Sequence, residues 1–216
     1  MIQDKSEVYT GEDVLISKES LDIFLAMYEI LAQTLMYRDP YTHEHQKNVA
    51  FIAQKIGVKL NLTPYQMTCL RLGASIHDIG KIKVPMELLY KPGKIEKEEF
   101  KLIKKHAVYG ADLFRGYKLP WPIYEVVSQH HERIDGSGYP KGLKGDQISL
   151  EAKIVAIADT YESMSNNRPY RRALGTQLAI QTIVKGRGTK YDIDAVDAFM
   201  ACVEEDETFE GLFTIK

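Results

Sequence analysis

Residues 63–81 read TPYQMTCLRLGASIHDIGK. Thr63 supplies a capping hydroxyl, Pro64 a first-turn proline and Gln66 the third-position amide of a capping box, so a helix starts here. Met67, Leu70 and Ala74 keep helical spacing as far as His77, which turns that imidazole inward. Asp78 follows about 100° further round the axis, an arrangement that suits two neighbouring cations sharing one carboxylate. Taken alone, the dipeptide also reads as a helix end in which Asp78 merely orients His77.

Upstream, Asp39-Pro40 is a second capped start, and Val49, Ile52, Ala53 and Ile56 carry its apolar stripe to Gly57. Before it, Leu21 to Tyr37 has one face of Leu21, Phe24, Leu25, Tyr28, Leu31, Ala32 and Leu35, and a second of Ile23, Met27 and Ile30. Asp22, Glu29 and Gln33 make that helix too polar to span a bilayer. Downstream, Lys91-Pro92-Gly93 is a turn ahead of a charged helix from Glu96 to about Phe114 that contains His106. Pro120-Trp121-Pro122 opens a helix ending in His130-His131, and the glycine-rich stretch from Asp135 to Gly145 is loop. Helices follow from Leu150, over Thr176 to Val184 and over Ile193 to Val203, and no alternating strand pattern persists. The expectation is an all-α chain: a short N-terminal extension over residues 1–19 and one helical domain over residues 20–216.

Of the 216 residues 44% are apolar, enough for a self-sufficient core, and the formal net charge is -2, so no cationic field points to a nucleic acid polymer or an anionic membrane. Cys69 and Cys202 stand far apart without a partner thiol and read as buried thiols of a reducing compartment. Met1-Ile2-Gln3-Asp4-Lys5 lacks the basic and apolar segments of a signal peptide, so the expected location is cytoplasmic. All six histidines, namely His43, His45, His77, His106, His130 and His131, lie in contexts that also supply carboxylates. Metal chemistry explains such a stock of nitrogen donors better than packing does.

Three blocks of this chain resemble the HD superfamily of metal-dependent phosphohydrolases, and specifically its HD-GYP branch. They are His77-Asp78-Ile79-Gly80-Lys81 with Val84-Pro85 and Lys91-Pro92-Gly93, then His130-His131-Glu132-Arg133 with Asp135-Gly136-Ser137-Gly138-Tyr139-Pro140, and Ala158-Asp159 with Arg168-Pro169-Tyr170-Arg171. The resemblance as a whole covers roughly Leu21 to Met200. The resemblance implies an HD-superfamily fold with His45, His77, Asp78, His106, His130, His131 and Asp159 as metal ligands, Asp78 bridging two divalent ions, most often iron or manganese. His43 lies two residues from His45 and cannot share its face, so it is expected at the exposed surface. Members with three metals have Glu where this chain has Tyr41, so two metals are expected and Tyr41 is expected to pack. Asp39 is a helix cap or a polar group beside the metals.

The resemblance further implies hydrolysis of cyclic di-GMP to pGpG, with GMP as an open further product, by a hydroxide held between the metals. Lys81 is placed to offset charge on the phosphoryl oxygens. Gly138 and Tyr139 belong to a loop that approaches the ligand, Tyr139 stacking on a base or touching phosphate. Arg168 and Arg171 form a cationic face for the second phosphate, with Arg172 a solvated charge. The alternatives are 3′,3′-cyclic GMP-AMP as substrate, another HD-type nucleotidase, or a non-catalytic cyclic-dinucleotide receptor; the full ligand set favours the enzyme. The second apolar face of the Leu21 to Tyr37 helix suits a homodimer contact.

Overall fold

The computed structural model describes residues 7–10, 14–168 and 172–205. It begins with a two-stranded antiparallel hairpin, β1 (Glu7–Thr10) and β2 (Val14–Ser17), in which Val8 faces Ile16. From there helices succeed one another: α1 (Lys18–Arg38), α2 (Pro40–Lys59) and α3 (Pro64–Ile76). A 3-10 turn over Ile79–Lys83 leads to α4 (Met86–Leu89), α5 (Lys97–Lys104), α6 (His106–Asp112) and α7 (Ile123–Gln129). A second 3-10 turn, Gly145–Gln147, precedes α8 (Leu150–Ser165), α9 (Thr176–Lys185) and α10 (Ile193–Glu205). The helical class is the one the sequence implies. The hairpin is an addition to it, made of four-residue strands too short for an alternating pattern to register.

The two foreseen helix starts form as read. Thr63 Oγ1 accepts from Gln66 N–H (3.3 Å) while Gln66 Oε1 accepts from Thr63 N–H (3.1 Å). Asp39 Oδ1 accepts from Thr42 N–H at 3.0 Å, and each such cap is worth about 1 kcal/mol. The apolar stripes of α2, α3, α7, α8 and α10 meet in one core, where Ile52, Ile56, Leu70, Ile154, Ile157 and Phe199 are fully buried. Each of these side chains contributes roughly 1.5–3 kcal/mol on burial, which is what holds α2 and α8 side by side. α1 lays Phe24, Tyr28 and Leu35 on this core; Ile23, Met27 and Ile30 remain exposed on its other face.

The charged helix expected from Glu96 to Phe114 is instead two helices, α5 and α6, and a histidine causes the break. In an unbroken helix the Ile103 carbonyl would serve the backbone four residues on; here it accepts the His106 Nδ1–H at 2.7 Å. The same place is held from outside by Gly80. A Cβ on that residue would lie 1.9 Å from the His106 carbonyl oxygen and 2.4 Å from the Gly110 nitrogen, so only glycine lets the Ile79–Lys83 turn sit directly on α6.

Candidate metal centre

Three imidazoles stand at helix boundaries and use one local device. His77 ends α3 and donates Nδ1–H to Ala74 O (2.8 Å), and His130 ends α7 and donates to Val127 O (2.8 Å). His106 opens α6 and donates to Ile103 O, three residues back like the others. A carbonyl oxygen only accepts, so Nδ1 carries a proton and, in the neutral ring, Nε2 is a lone pair turned inward. His45, inside α2, is oriented by a long-range route: its Nδ1 hydrogen-bonds the Glu162 carboxylate of α8, and although burial favours its neutral form, Glu162 and Asp159 outweigh burial and hold it above the ordinary imidazole range.

His45 Nε2 and His77 Nε2 are buried without a hydrogen-bond partner, while His106 Nε2 and His130 Nε2 face each other at 3.3 Å. Burial holds His106 below the ordinary imidazole range, and burial with the neighbouring imidazoles His77 and His106 holds His130 well below it. Burial, reinforced by His130 and His106, does the same to His131. Two neutral nitrogens confronting each other repel, and a cation between them is the natural remedy. The donor set therefore fits metal ions, and it falls into two groups of mutually close ligand atoms: His45, His77 and Asp159, and Asp78, His106, His130 and His131. The seven residues expected as ligands are thus brought together with none left over.

Asp78 stands between the groups. Its Oδ1 is 3.2 Å from His106 Nε2, and its Oδ2 is 3.4 Å from His77 Nε2 and 3.7 Å from His45 Nε2. Asp159 Oδ1 lies 3.2 Å from His45 Nε2 and its Oδ2 lies 3.9 Å from His131 Nδ1. Burial opposes ionisation of both carboxyls, but Lys81 and His77 at Asp78, and His45 at Asp159, hold them well below the usual carboxylate range. Lys81 Nζ donates to Asp78 Oδ2 at 2.5 Å, so this lysine is engaged with the centre and is not a surface ion pair. The set accordingly offers the neutral nitrogens of His106, His130 and His131 together with anionic carboxylate oxygens.

The centre floors a cleft of about 410 Å³ that Asp39, Tyr41, Lys81, Tyr139 and Arg168 also line. Asp39 caps α2 and accepts from Tyr90 Oη (2.6 Å), so the cap and the cleft-lining position coincide in one residue. Tyr41 packs under the Arg168 guanidinium, 5.7 Å from its ring centroid. Tyr139 stacks on His131 with centroids 4.6 Å apart, and Lys104 Nζ lies 4.7 Å from the same ring. Arg172 is exposed, as expected; Arg171 lies outside the described residues. His43 corrects the sequence reading: it faces away from the centre, yet it is buried, because α1 covers that side of α2.

Two carboxylates were given no role by the sequence. Glu162, buried at 2% exposure, orients His45 and also accepts from Asn166 Nδ2 at 3.0 Å. Its one local signal is a position three residues after Asp159 on the same face of α8. Glu132, equally buried, accepts from Lys141 N–H (2.7 Å) and Leu143 N–H (3.0 Å) and so ties the loop carrying Tyr139 to the end of α7. Gly138 completes that attachment, since a Cβ there would lie 2.4 Å from Glu132 Cα.

A family model described as HD domain matches residues 29–195. The chain is 34% identical over 198 residues to a cyclic di-GMP phosphodiesterase of Thermotoga maritima, covering 91% of this chain and 53% of that one. It is 33% identical over 160 residues to a 3′3′-cGAMP-specific phosphodiesterase of Vibrio cholerae, covering 73% of this chain and 36% of that one. Among solved structures, the HDG"Y"P protein Bd1817 of Bdellovibrio bacteriovorus superposes with a TM-score of 0.61 at 22% identity, over 74% of this chain and 51% of that one. The chain spans about half the length, or less, of these relatives.

Proposed function

We propose, because this chain belongs to the HD domain family and carries the blocks of its HD-GYP branch, that it is a metal-dependent phosphodiesterase hydrolysing cyclic di-GMP to pGpG. One observation carries the proposal. Imidazole nitrogens from four different helices, those of His45, His77, His106 and His130, converge with Asp78 and Asp159 under a cleft that also holds two cationic side chains, Lys81 and Arg168. Imidazole nitrogens and carboxylate oxygens in this ratio suit divalent iron or manganese. His45, His77 and Asp159 would hold one ion, His106, His130 and His131 the other, with Asp78 shared. Such ions supply Lewis-acid polarisation of a phosphoryl oxygen and activation of a water at neutral pH.

The protein's own groups do the rest. Lys81, already turned on Asp78, sets an ammonium where negative charge grows on the phosphoryl oxygens. Arg168, braced on the Tyr41 ring and 3.9 Å from Glu162, offers its guanidinium to the second phosphate, with Arg171 as its neighbour in sequence. Gly138 lets the loop lie close to α7, so that Tyr139, fixed against His131, presents its hydroxyl edge to the ligand. Asp39 is held as an acceptor at the rim by Thr42 and Tyr90. With Tyr41 packed under Arg168, we count two ions per chain. The HD-GYP unit begins at about residue 20, where α1 is under way. The exposed face of α1 supplies a homodimer contact. The unpartnered Cys69 and Cys202 support a cytoplasmic location; among the described residues no helix is long and apolar enough to cross a membrane.

The relatives named for 3′3′-cGAMP make that nucleotide the second substrate to try. Protein loaded with iron or manganese without oxygen is given cyclic di-GMP, 3′,3′-cyclic GMP-AMP and mononucleotides, and products are identified by mass. Linear pGpG from cyclic di-GMP is expected. If every cyclic dinucleotide stays intact with each metal, the assignment fails.

A further inference from the structure

A second cavity, of about 310 Å³, opens between α1, α2 and α3 and shares no lining residue with the metal cleft. Its inner wall is the buried His43, 8% exposed, whose imidazole has no hydrogen-bond partner among the described residues. Lys47 and Arg71 flank it, and neither has an ion-pair partner within the described residues; Glu29 is the acid that lines the cavity. Tyr28 and Leu72 give an apolar floor. Cations and a free imidazole around a half-apolar hollow are the chemistry of a small anion with an organic body. A volume near 300 Å³ is at the small end of ligand sites, which suits a ligand of about one ring and one phosphate.

The cavity also has a physical link to the centre. Gln46 lines it and is 1% exposed; with its amide set to satisfy both neighbours, it donates to Ser75 O (3.2 Å) and accepts from Asp78 N–H (3.3 Å). The helices walling the cavity are those that carry His45 on α2 and His77 at the end of α3. We propose that this cavity is a regulatory site for a small aromatic phosphomonoester, bound by Arg71, Lys47 and His43, and that its occupancy adjusts the position of Asp78 through Gln46. The binding half stands independently of the catalytic assignment; the regulatory half rests on Asp78 being a metal ligand.

Phenyl phosphate serves as probe, titrated by calorimetry into the full chain freed of metal with a chelator, beside inorganic phosphate and benzoate. Phenyl phosphate is expected to bind more tightly than either. Arg71→Glu and His43→Ala should each weaken it tenfold or more, whereas Arg168→Ala, in the other cleft, should leave it unchanged. No binding, or equal binding by Arg71→Glu, overturns the site, and loss with Arg168→Ala instead moves the ligand to the metal cleft. Tighter inorganic phosphate overturns the aromatic class. For the linkage, manganese affinity is measured with and without the probe. A shift of at least threefold in the wild type that vanishes in Arg71→Glu is expected, and reciprocity requires manganese to shift probe affinity by the same factor. Identical manganese affinity in both conditions overturns the regulation while leaving binding and the phosphodiesterase assignment to their own tests.

Discussion

Replacing Glu162 by alanine should weaken cation binding in one half of the centre and spare the other. Burial pushes the Glu162 carboxyl up, but His45 and Arg168 outweigh it, and the group is held below the usual carboxylate range as a permanent acceptor for His45 Nδ1–H. Alanine removes that acceptor, and His45 loses both its fixed tautomer and its orientation. A hydrogen bond to a charged group is worth about 1.5–3 kcal/mol, and loss of a partner behind a metal-bound imidazole costs about 10–100-fold in affinity; the two estimates agree. The affected ion is the one at His45, His77 and Asp159, because Glu162 has no contact with His106, His130 or His131. Glu162→Gln keeps an oxygen without its charge and should lose less than about tenfold. The assay is manganese titration of the chelated protein by electron paramagnetic resonance, with circular dichroism confirming the fold. One dissociation constant should rise and the other hold. Equal weakening of both, or of neither, would refute the idea that Glu162 acts through His45.

Gly80→Ala should cost about 3 kcal/mol or more of folding stability in urea, at the upper end for overpacking, because its Cβ meets backbone atoms of α6 that cannot rotate away. Asp39→Ala should remove stability worth about 1 kcal/mol at neutral pH. Burial raises the Asp39 carboxyl, hydrogen bonds from Thr42 and Tyr90 outweigh this, and the folded value is lowered, so the contribution is full above the unfolded value of about 3.9 and lost as pH falls through the folded one. The gap between wild type and variant should be flat from pH 7 to about 5 and close below about 4, and a gap that widens in acid would contradict the sign. Metal analysis of anaerobically purified protein should find two ions per chain, a third anomalous peak in crystals being the contrary result. Glu132→Gln should loosen the Tyr139 loop, seen as faster hydrogen exchange at Lys141 and Leu143 with α7 unaffected.

The helix starts at Asp39 and Thr63 were legible because a cap and its partner lie within one turn of each other. Of the seven expected ligands, His77, Asp78, His130, His131 and Asp159 were legible in their motif blocks, His45 and His106 only through the family resemblance, and helical phase alone turned His77 inward. Glu162 was not, because its partner His45 is 117 residues away and nothing local marks it. The burial of His43 depends on which side of α2 receives α1, a tertiary choice that a helix with two apolar faces does not announce. The break between α5 and α6 escaped for a related reason: helical propensity runs smoothly through Lys105, and a single side-chain donor at His106 overrides it.

The habit of His77, His106 and His130 of giving their outer nitrogen to a carbonyl three residues back has a bearing on how the centre is charged. At His106 and His130 burial also disfavours a second, inward proton, so those rings have none to release when a cation arrives, in contrast to thiolate sites, whose filling acidifies the solution. Uptake at these two positions is therefore almost blind to pH across the neutral range, and folding of the helix ends has selected the tautomers before any ion is met.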